Sequence, residues 1–437
     1  MIRFSSLTTL FLAIVICIFY ACHGPEQRVA SNSPGTDGDS DGDGDSGADG
    51  DSDSGADGDS DGDSDGDNDG GLDPGTVDSS YIWIANTAGS TLSKVDTVTA
   101  KEVARYKACP LDKCDPSRTS VNLHGDMVVT NRDTNPSSIT KFAGDKTECV
   151  DRNGNGTIET SSGSADILPW GKDECMIWNT PLSGNLGARA TAWDGKEDPY
   201  TGLGGHVWVG TCLEETDVQA TVYKINGDTG EIMKQVKIPT PCAYGGAIGP
   251  DGGFWIIAGM KGLGSLIRVD TETLKSDSYE ISCGYGISID SLGRIWSGGL
   301  NKKNSNPPNC VSVFDPVTNK EIKVDVPAAE FLRGIAVGTG KSKGFVWATD
   351  TGGKLFKLTE NPPSLAADFE IVSDDNAYMI GVAVDYLGYV WTVDGTTNAT
   401  YKFDPNDETF AKVPIGEGPY TYSDMTGVQL KIVAPVE

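Results

Sequence analysis

Tyr285-Gly-Ile-Ser-Ile-Asp-Ser-Leu-Gly-Arg-Ile-Trp296 and Ile380-Gly-Val-Ala-Val-Asp-Tyr-Leu-Gly-Tyr-Val-Trp391 are two copies of one phrase. Each reads as a short apolar strand, an Asp/Gly turn and a second strand carrying a Trp. Tyr244 to Trp255 and Arg333 to Trp347 follow the same plan. β-Branched and aromatic runs separated by turn residues are the signature of strands. A third strand follows in several units, as in Leu266-Ile-Arg-Val-Asp270 and Thr400-Tyr-Lys-Phe-Asp404. A fourth completes the unit, as in Thr409-Phe-Ala-Lys-Val413.

The anchor positions are Trp83, Val128, Trp208, Trp255, Trp296, Trp347 and Trp391. They stand 41 to 51 residues apart, except for one gap of 80 that places an insertion at residues 143–187. A four-stranded unit at this period reads as a propeller blade. Seven anchors therefore predict an all-β, seven-bladed β-propeller over residues 80–433. An open β-sandwich does not call for so regular a Trp spacing. The first unit, beginning near Ser80, lacks its innermost strand, and Asp424-Met-Thr-Gly-Val-Gln-Leu430 resembles that strand. This C-terminal strand is expected to complete blade one and leave no open edge at the seam.

Residues 1–22 read as a signal peptide. Arg3 precedes an apolar run, Leu10 to Tyr20, that is too short for a comfortable membrane span. The run closes on Phe19-Tyr20-Ala21-Cys22, which resembles a bacterial lipobox with Phe19 where such motifs usually carry Leu. The resemblance implies acylation of Cys22 and attachment to a membrane through that lipid. Because His23 rather than Asp follows, it also implies an outer-membrane lipoprotein of the bacterial cell envelope, facing the periplasm or the surface. Residues 23–79 form a linker, and positions 36–74 hold 16 Asp with no Lys or Arg, out of a net charge of −29. With almost no apolar residue, this segment cannot offset the entropy of ordering, so a disordered, self-repelling tether is expected. Such acidity argues against nucleic acid as a partner.

Apart from Cys17 and Cys22, the cysteines are Cys109, Cys114, Cys149, Cys175, Cys212, Cys242, Cys283 and Cys310. An even number in an exported chain predicts disulfides. There is no Cys-x-x-Cys pair and only three histidines are present, so a zinc cluster is not expected. Placed on the repeat, Cys212 falls near Cys242 and Cys283 near Cys310, all on one face of the ring. Cys109 and Cys114 would close a small loop, and Cys149 and Cys175 would bracket the insertion.

The repeat units resemble those of the streptogramin lyase (virginiamycin B lyase) and NHL-type propeller group over most of residues 80–430. That resemblance implies the fold. The lyases of this group use a His and a Glu with magnesium to open a cyclic depsipeptide by elimination. Here His124 and His206, the histidines of the repeat region, align at the hairpin between strands one and two, away from the usual ligand side. No catalytic pair carries across.

In propellers the loops joining strands two and three, and those joining blades, share the face that usually binds ligand. Three residues beyond each anchor, the second strand reaches that face. Blades six, seven, one and two contribute Asp350, Asp394, Asn86 and Asn131, a contiguous polar arc. Oxygen donors at a channel mouth suit calcium, magnesium or a hydroxylated ligand. Asp and Asn are also common turn caps. Tyr285 and Arg333, just before innermost strands, are expected on the same face.

The insertion carries Asp151-Arg-Asn153-Gly-Asn155-Gly-Thr157-Ile-Glu159, which follows the first nine positions of a calcium loop. Alternating oxygen side chains and a Gly at the sixth position let a short turn wrap a hard cation. Ser162 stands where the bidentate Glu would be, with Asp166, Asp173 or Glu174 as substitutes. A structural calcium ion is expected here.

The leading functional expectation is a monomeric, non-enzymatic surface module that binds a glycan, peptide or partner protein on the propeller face. The alternative is a metal-dependent lyase or lactonase-type hydrolase. The sequence contains no Gly-x-Ser-x-Gly elbow and no His-Glu-x-x-His motif.

Overall fold

The computed structural model describes residues 80–132, 136–182, 187–212, 219–258 and 264–433. Residues 1–79, on which the expected signal segment, Cys22 and linker fall, lie outside them. The described residues form seven antiparallel sheets arranged as a propeller, six of four strands and one of three. All seven anchors sit on the second strand of their blade, from Trp83 in Tyr81–Asn86 to Trp391 in Val390–Asp394. No helix among the described residues is long and apolar enough to cross a membrane.

One local code recurs in blades four, five and seven. The Asp of the turn between strands one and two reaches forward to the anchor indole. Trp296 Nε1 donates to Asp290 and Trp391 Nε1 to Asp385, both at 2.8 Å, and Trp255 Nε1 donates to Asp251 at 3.1 Å. The turn glycine is needed for its backbone. Gly388 has φ +84°, and a Cβ there would collide with the Thr339 carbonyl and the Lys341 amide of blade six. On strand three a lysine directly opposite the anchor covers its ring, as Lys94 does Trp83, Lys224 Trp208 and Lys402 Trp391. Such cross-strand pairs are the unit of sheet stability. Innermost strands such as Ala243–Ile248 and Met379–Val384 are buried throughout, whereas outer strands such as Ser276–Glu280 are mostly exposed.

Blade one is the three-stranded sheet, and the C-terminal segment lies where its innermost strand would be. Tyr420 N donates to the Ala85 carbonyl and Trp83 N to the Met425 carbonyl, each at 2.9 Å, and Pro419 bridges Asn86. Closure thus uses residues 419–425, a few positions upstream of the expected Asp424–Leu430. The reason lies in Asp424, whose Oδ1 accepts the amides of Thr426 and Gly427 and starts a short helix, Val428–Val433. Leu430 and Val433 pack with Ile287, Ile289, Leu123 and Trp193, so the helix fills the channel at the hairpin face. The insertion in blade two runs from 143 to 175, because Met176–Leu182 is the fourth strand of that blade.

The disulfides are Cys109–Cys114, Cys149–Cys175, Cys212–Cys242 and Cys283–Cys310. Four such bonds mark an extracytoplasmic protein.

Candidate functional site

Asp350 and Asp394 are buried, and their oxygens face their own blades. Asp350 accepts the Glu330, Gly352 and Lys354 amides at 2.7 to 3.0 Å. Asp394 accepts the Tyr378 and Thr397 amides and the Thr397 hydroxyl. Asn86 donates to Thr91 and Ser93, and Asn131 to the Ala108 carbonyl, Ser138 and Thr140. These four residues tie turns and interblade links together. They act as staples.

The mouth itself is lined one strand further in. Innermost strands open with a break in register: between Pro116 and Arg118, Ala188 and Thr191, Ala243 and Gly245, Leu332 and Ile335, and Met379 and Gly381. An extra residue bends the strand and re-aims its side chain. Arg118, Arg189, Tyr244 and Arg333 sit at these breaks and cluster at one end of the channel. Tyr285 and Tyr378 enter just before their strands, and Tyr420 and Tyr422 come from the closing segment.

Three phenol hydroxyls converge there. Tyr285 Oη lies 2.8 Å from Tyr244 Oη and 2.7 Å from Tyr420 Oη, and Tyr244 Oη lies 3.4 Å from Tyr420 Oη. The Tyr422 ring stacks on Tyr285 at 5.0 Å. Guanidinium groups surround them. Arg118 stands 3.2 Å over Tyr422 and 4.9 Å from Tyr244, Arg189 5.0 Å from Tyr244, Arg333 4.8 Å from Tyr285, and Arg132 4.8 Å from Tyr420.

What these arginines lack is a counter-charge. Arg118 is 0% exposed, and all three of its guanidinium nitrogens are without a hydrogen-bond partner. Nε of Arg189 and of Arg333 is likewise unpartnered. No ion pair joins Arg118, Arg189 or Arg333 to a carboxylate among the described residues. Elsewhere, Arg105, Arg268 and Arg294 each bind a Glu or Asp. Ring contacts contribute about 0.5–2 kcal/mol each. Desolvating an ion costs several kcal/mol, so the rings offset only part of it. The mouth is poised for an anion.

The phenols of the cluster are shifted in opposite directions. Burial raises the hydroxyls of Tyr244, Tyr285 and Tyr422. Burial also works to raise Tyr420, but Arg333, then Arg132, and hydrogen bonds from Tyr244 and Tyr285 outweigh it and bring the group down to about 7. Tyr420, Tyr378, Arg132, Arg189 and Arg333 are partly exposed, so the cluster is open to solvent.

The structure brings two residues singled out in the sequence, Tyr285 and Arg333, into this cluster. Arg118, Arg132, Arg189, Tyr244, Tyr378, Tyr420 and Tyr422 complete it. A signal for several of them existed: Arg118, Arg189, Tyr244, Tyr285 and Arg333 occupy similar places in successive repeats.

The histidines lie at the other end of the blades. His124 is in the turn before Met127–Asn131, with Nε2 on Glu148 and Nδ1 3.0 Å from the Pro199 carbonyl. His206 opens strand two of blade three and contacts Asp194 at 2.9 Å. In the insertion, Asp151 accepts the amides of Gly154, Asn155 and Gly156, while Asn153 and Asn155 donate to Glu159. The Thr157 amide donates to Asn155.

No protein-family model and no curated protein matches the sequence. Solved structures do. A functionally unknown protein from Desulfotomaculum acetoxidans aligns over 79% of this chain and 100% of its own, at 10% identity and a TM-score of 0.54. Hydrazine synthase of Kuenenia stuttgartiensis aligns over 72% and 90%, at 14% identity and TM-score 0.52. A catalytically inactive virginiamycin B lyase from Staphylococcus aureus, with quinupristin, aligns over 70% and 87%, at 19% identity and TM-score 0.47. At these identities the likeness concerns the fold.

Proposed function

We propose that this protein is an exported, lipid-anchored β-propeller of the bacterial cell envelope that binds a ligand through an acidic group at the channel mouth. The observation that carries the reading is the cluster of Arg118, Arg189 and Arg333, whose guanidinium groups have unpartnered nitrogens and of which Arg189 and Arg333 are partly exposed. An unpaired buried charge is among the most unfavourable features a fold can keep. A carboxylate or sulfate entering the mouth would offer acceptors to the partly exposed Arg189 and Arg333, and the partly exposed rings of Tyr378 and Tyr420 would flank its body. Lipidation at Cys22 and the acidic tether would hold the ring away from the outer membrane, facing periplasm or surface.

Calcium bound in the Asp151–Glu159 loop would order the insertion. The gathering of Asp151, Asn153, Asn155 and Glu159 within one exposed turn supports that role. Magnesium at the mouth, the metal-dependent lyase or lactonase alternative, has less support. The ion would meet guanidinium groups there, and the oxygens of Asp350 and Asp394 are held by amides.

Calorimetric titration with sulfate, citrate and galacturonate, with galactose as the neutral control, tests the anion reading. Binding of one or more anions, lost in Arg118→Gln, is the expected result. Equal affinity for galactose and galacturonate would sink it.

A further inference from the structure

At the hairpin face, opposite the mouth, a cavity of about 130 Å³ lies between blades one, two and seven and the C-terminal helix. Tyr81 and Tyr386 line it, the first opening a strand of blade one and the second in the turn before Val390–Asp394. Lys431 of the helix and Asp145 of the insertion bring one charge of each sign to the same cavity. Asp145 is exposed and the other three are partly exposed, so a solute reaches them. Neither charge forms an ion pair among the described residues. Lys431 Nζ bonds the Tyr386 hydroxyl and stands 4.2 Å over its ring. By contrast, Lys141, Lys196, Lys341 and Lys354 each pair with a carboxylate. Burial, with no compensating charge, brings the Lys431 ammonium down to about 8. Asp145 accepts the amide and hydroxyl of Thr147 on Oδ1, while its neighbour Glu148 is taken up by His124. Behind the Tyr81 ring, Lys94 Nζ stands 3.8 Å from the centroid and donates to the Gly144 carbonyl at 2.6 Å.

We propose that this cavity is a second binding site, for a small zwitterion of the amino acid class whose carboxylate meets Lys431 and whose ammonium meets Asp145. The site is independent of the anion reading at the mouth. A simple carboxylate would gain Lys431 but meet Asp145. An amine would gain Asp145 but meet Lys431, with Lys94 behind the wall. A molecule that carries both charges gains both contacts, and like-charge repulsion excludes the other two. Size agrees with this class. An apolar cavity of about 150 Å³ takes a benzene ring, so one of 130 Å³ admits a small amino acid and little more. The carbon chain of such a ligand would lie against Tyr81 and Tyr386, as apolar parts of ligands do in pockets. Lys431 is the stronger subsite of the two. Its charge is half withdrawn from water, where a charge-assisted hydrogen bond gains most, whereas Asp145 is exposed and screened.

Calorimetric titration of the purified full chain with alanine, β-alanine and 4-aminobutyrate, which space the two charges differently, tests the proposal. Propionate and propylamine are the single-charge controls. At least one of the zwitterions should bind about tenfold or more tightly than either control. Lys431→Met should weaken that binding by about tenfold or more, and Asp145→Asn by less. Met keeps the length of the side chain without the charge, and Asn keeps the acceptor for Thr147, so both variants should hold the fold. If Lys431→Met nevertheless unfolds, Asp145→Asn carries the test alone. Propionate or propylamine binding as tightly as every zwitterion overturns the ligand class. No binding of any zwitterion, or unchanged affinity in Lys431→Met, overturns the site. Unchanged affinity in Asp145→Asn overturns the ammonium contact. Each of these failures leaves the anion reading standing, because Lys431 and Asp145 lie at the other end of the blades.

Discussion

Asp350 and Asp394 end the second strands of blades six and seven, while Arg118 and Arg333 begin the innermost strands of blades two and six on the same face of the ring. The carboxylates are satisfied by backbone amides, and the guanidinium groups are not. The end of a second strand is walled in by its own turn and the next interblade link, so a polar group there finds amides within reach. The start of an innermost strand faces the channel, and its register break turns the side chain away from the sheet. One strand of displacement separates a staple from a site.

The contrast breaks first where the staples are cut. Asp394→Ala should lower stability by about 2–3 kcal/mol, since it strips acceptors from the partly buried Tyr378 and Thr397 donors. Thermal unfolding reads this, and the folded fraction should keep anion affinity. Loss of affinity at unchanged melting temperature would return Asp394 to the site. The disulfide between Cys212 and Cys242 closes a 30-residue separation two residues before Tyr244. Replacing both cysteines by Ala should cost about 3 kcal/mol by loop entropy and weaken anion binding through a looser mouth.

The mouth should respond with the opposite sign. Arg118→Met removes an unpaired buried ion and should stabilise the fold by about 2 kcal/mol, while abolishing anion binding. If it destabilises instead, the guanidinium has a partner that the unligated mouth already satisfies. The smallest effect belongs to Asp424, inside the channel. Burial, against amide bonds from Gly427 and Thr426, pushes its carboxyl up to about 6, and Oδ2 is without a partner. The raised value means the ionised form is disfavoured in the fold, so stability falls as pH rises from the ordinary Asp range through 6. Asp424→Asn should therefore gain stability above pH 6 and nothing below pH 4. A gain that is independent of pH would point to packing rather than charge.

Much of this architecture was legible because blades repeat a code that acts within a dozen residues. The Asp290–Trp296 and Asp385–Trp391 bonds span only six positions. The cysteine pairs were legible for a related reason, since they join segments adjacent on the repeat. The closing segment was readable in kind but displaced by a few residues, because the turn at Asp424 begins a helix that no blade repeat encodes. Tyr285 and Arg333 were visible from their place before an innermost strand, yet the same place in other blades went unread. The Asp/Asn arc was read from position alone, and position does not tell whether amides will meet the side chain.

The repeat by itself determined that the chain closes into seven blades, because strand period, turn chemistry and an apolar anchor, Trp in six units and Val128 in one, are local properties. The tertiary structure alone decided the character of the mouth. Its arginines and tyrosines come from six different blades and the C-terminal segment, with contacts such as Thr119 to Ser423 spanning 304 positions. Whether a buried charge finds a partner depends on what the closed ring brings beside it, and no stretch of sequence contains that neighbourhood.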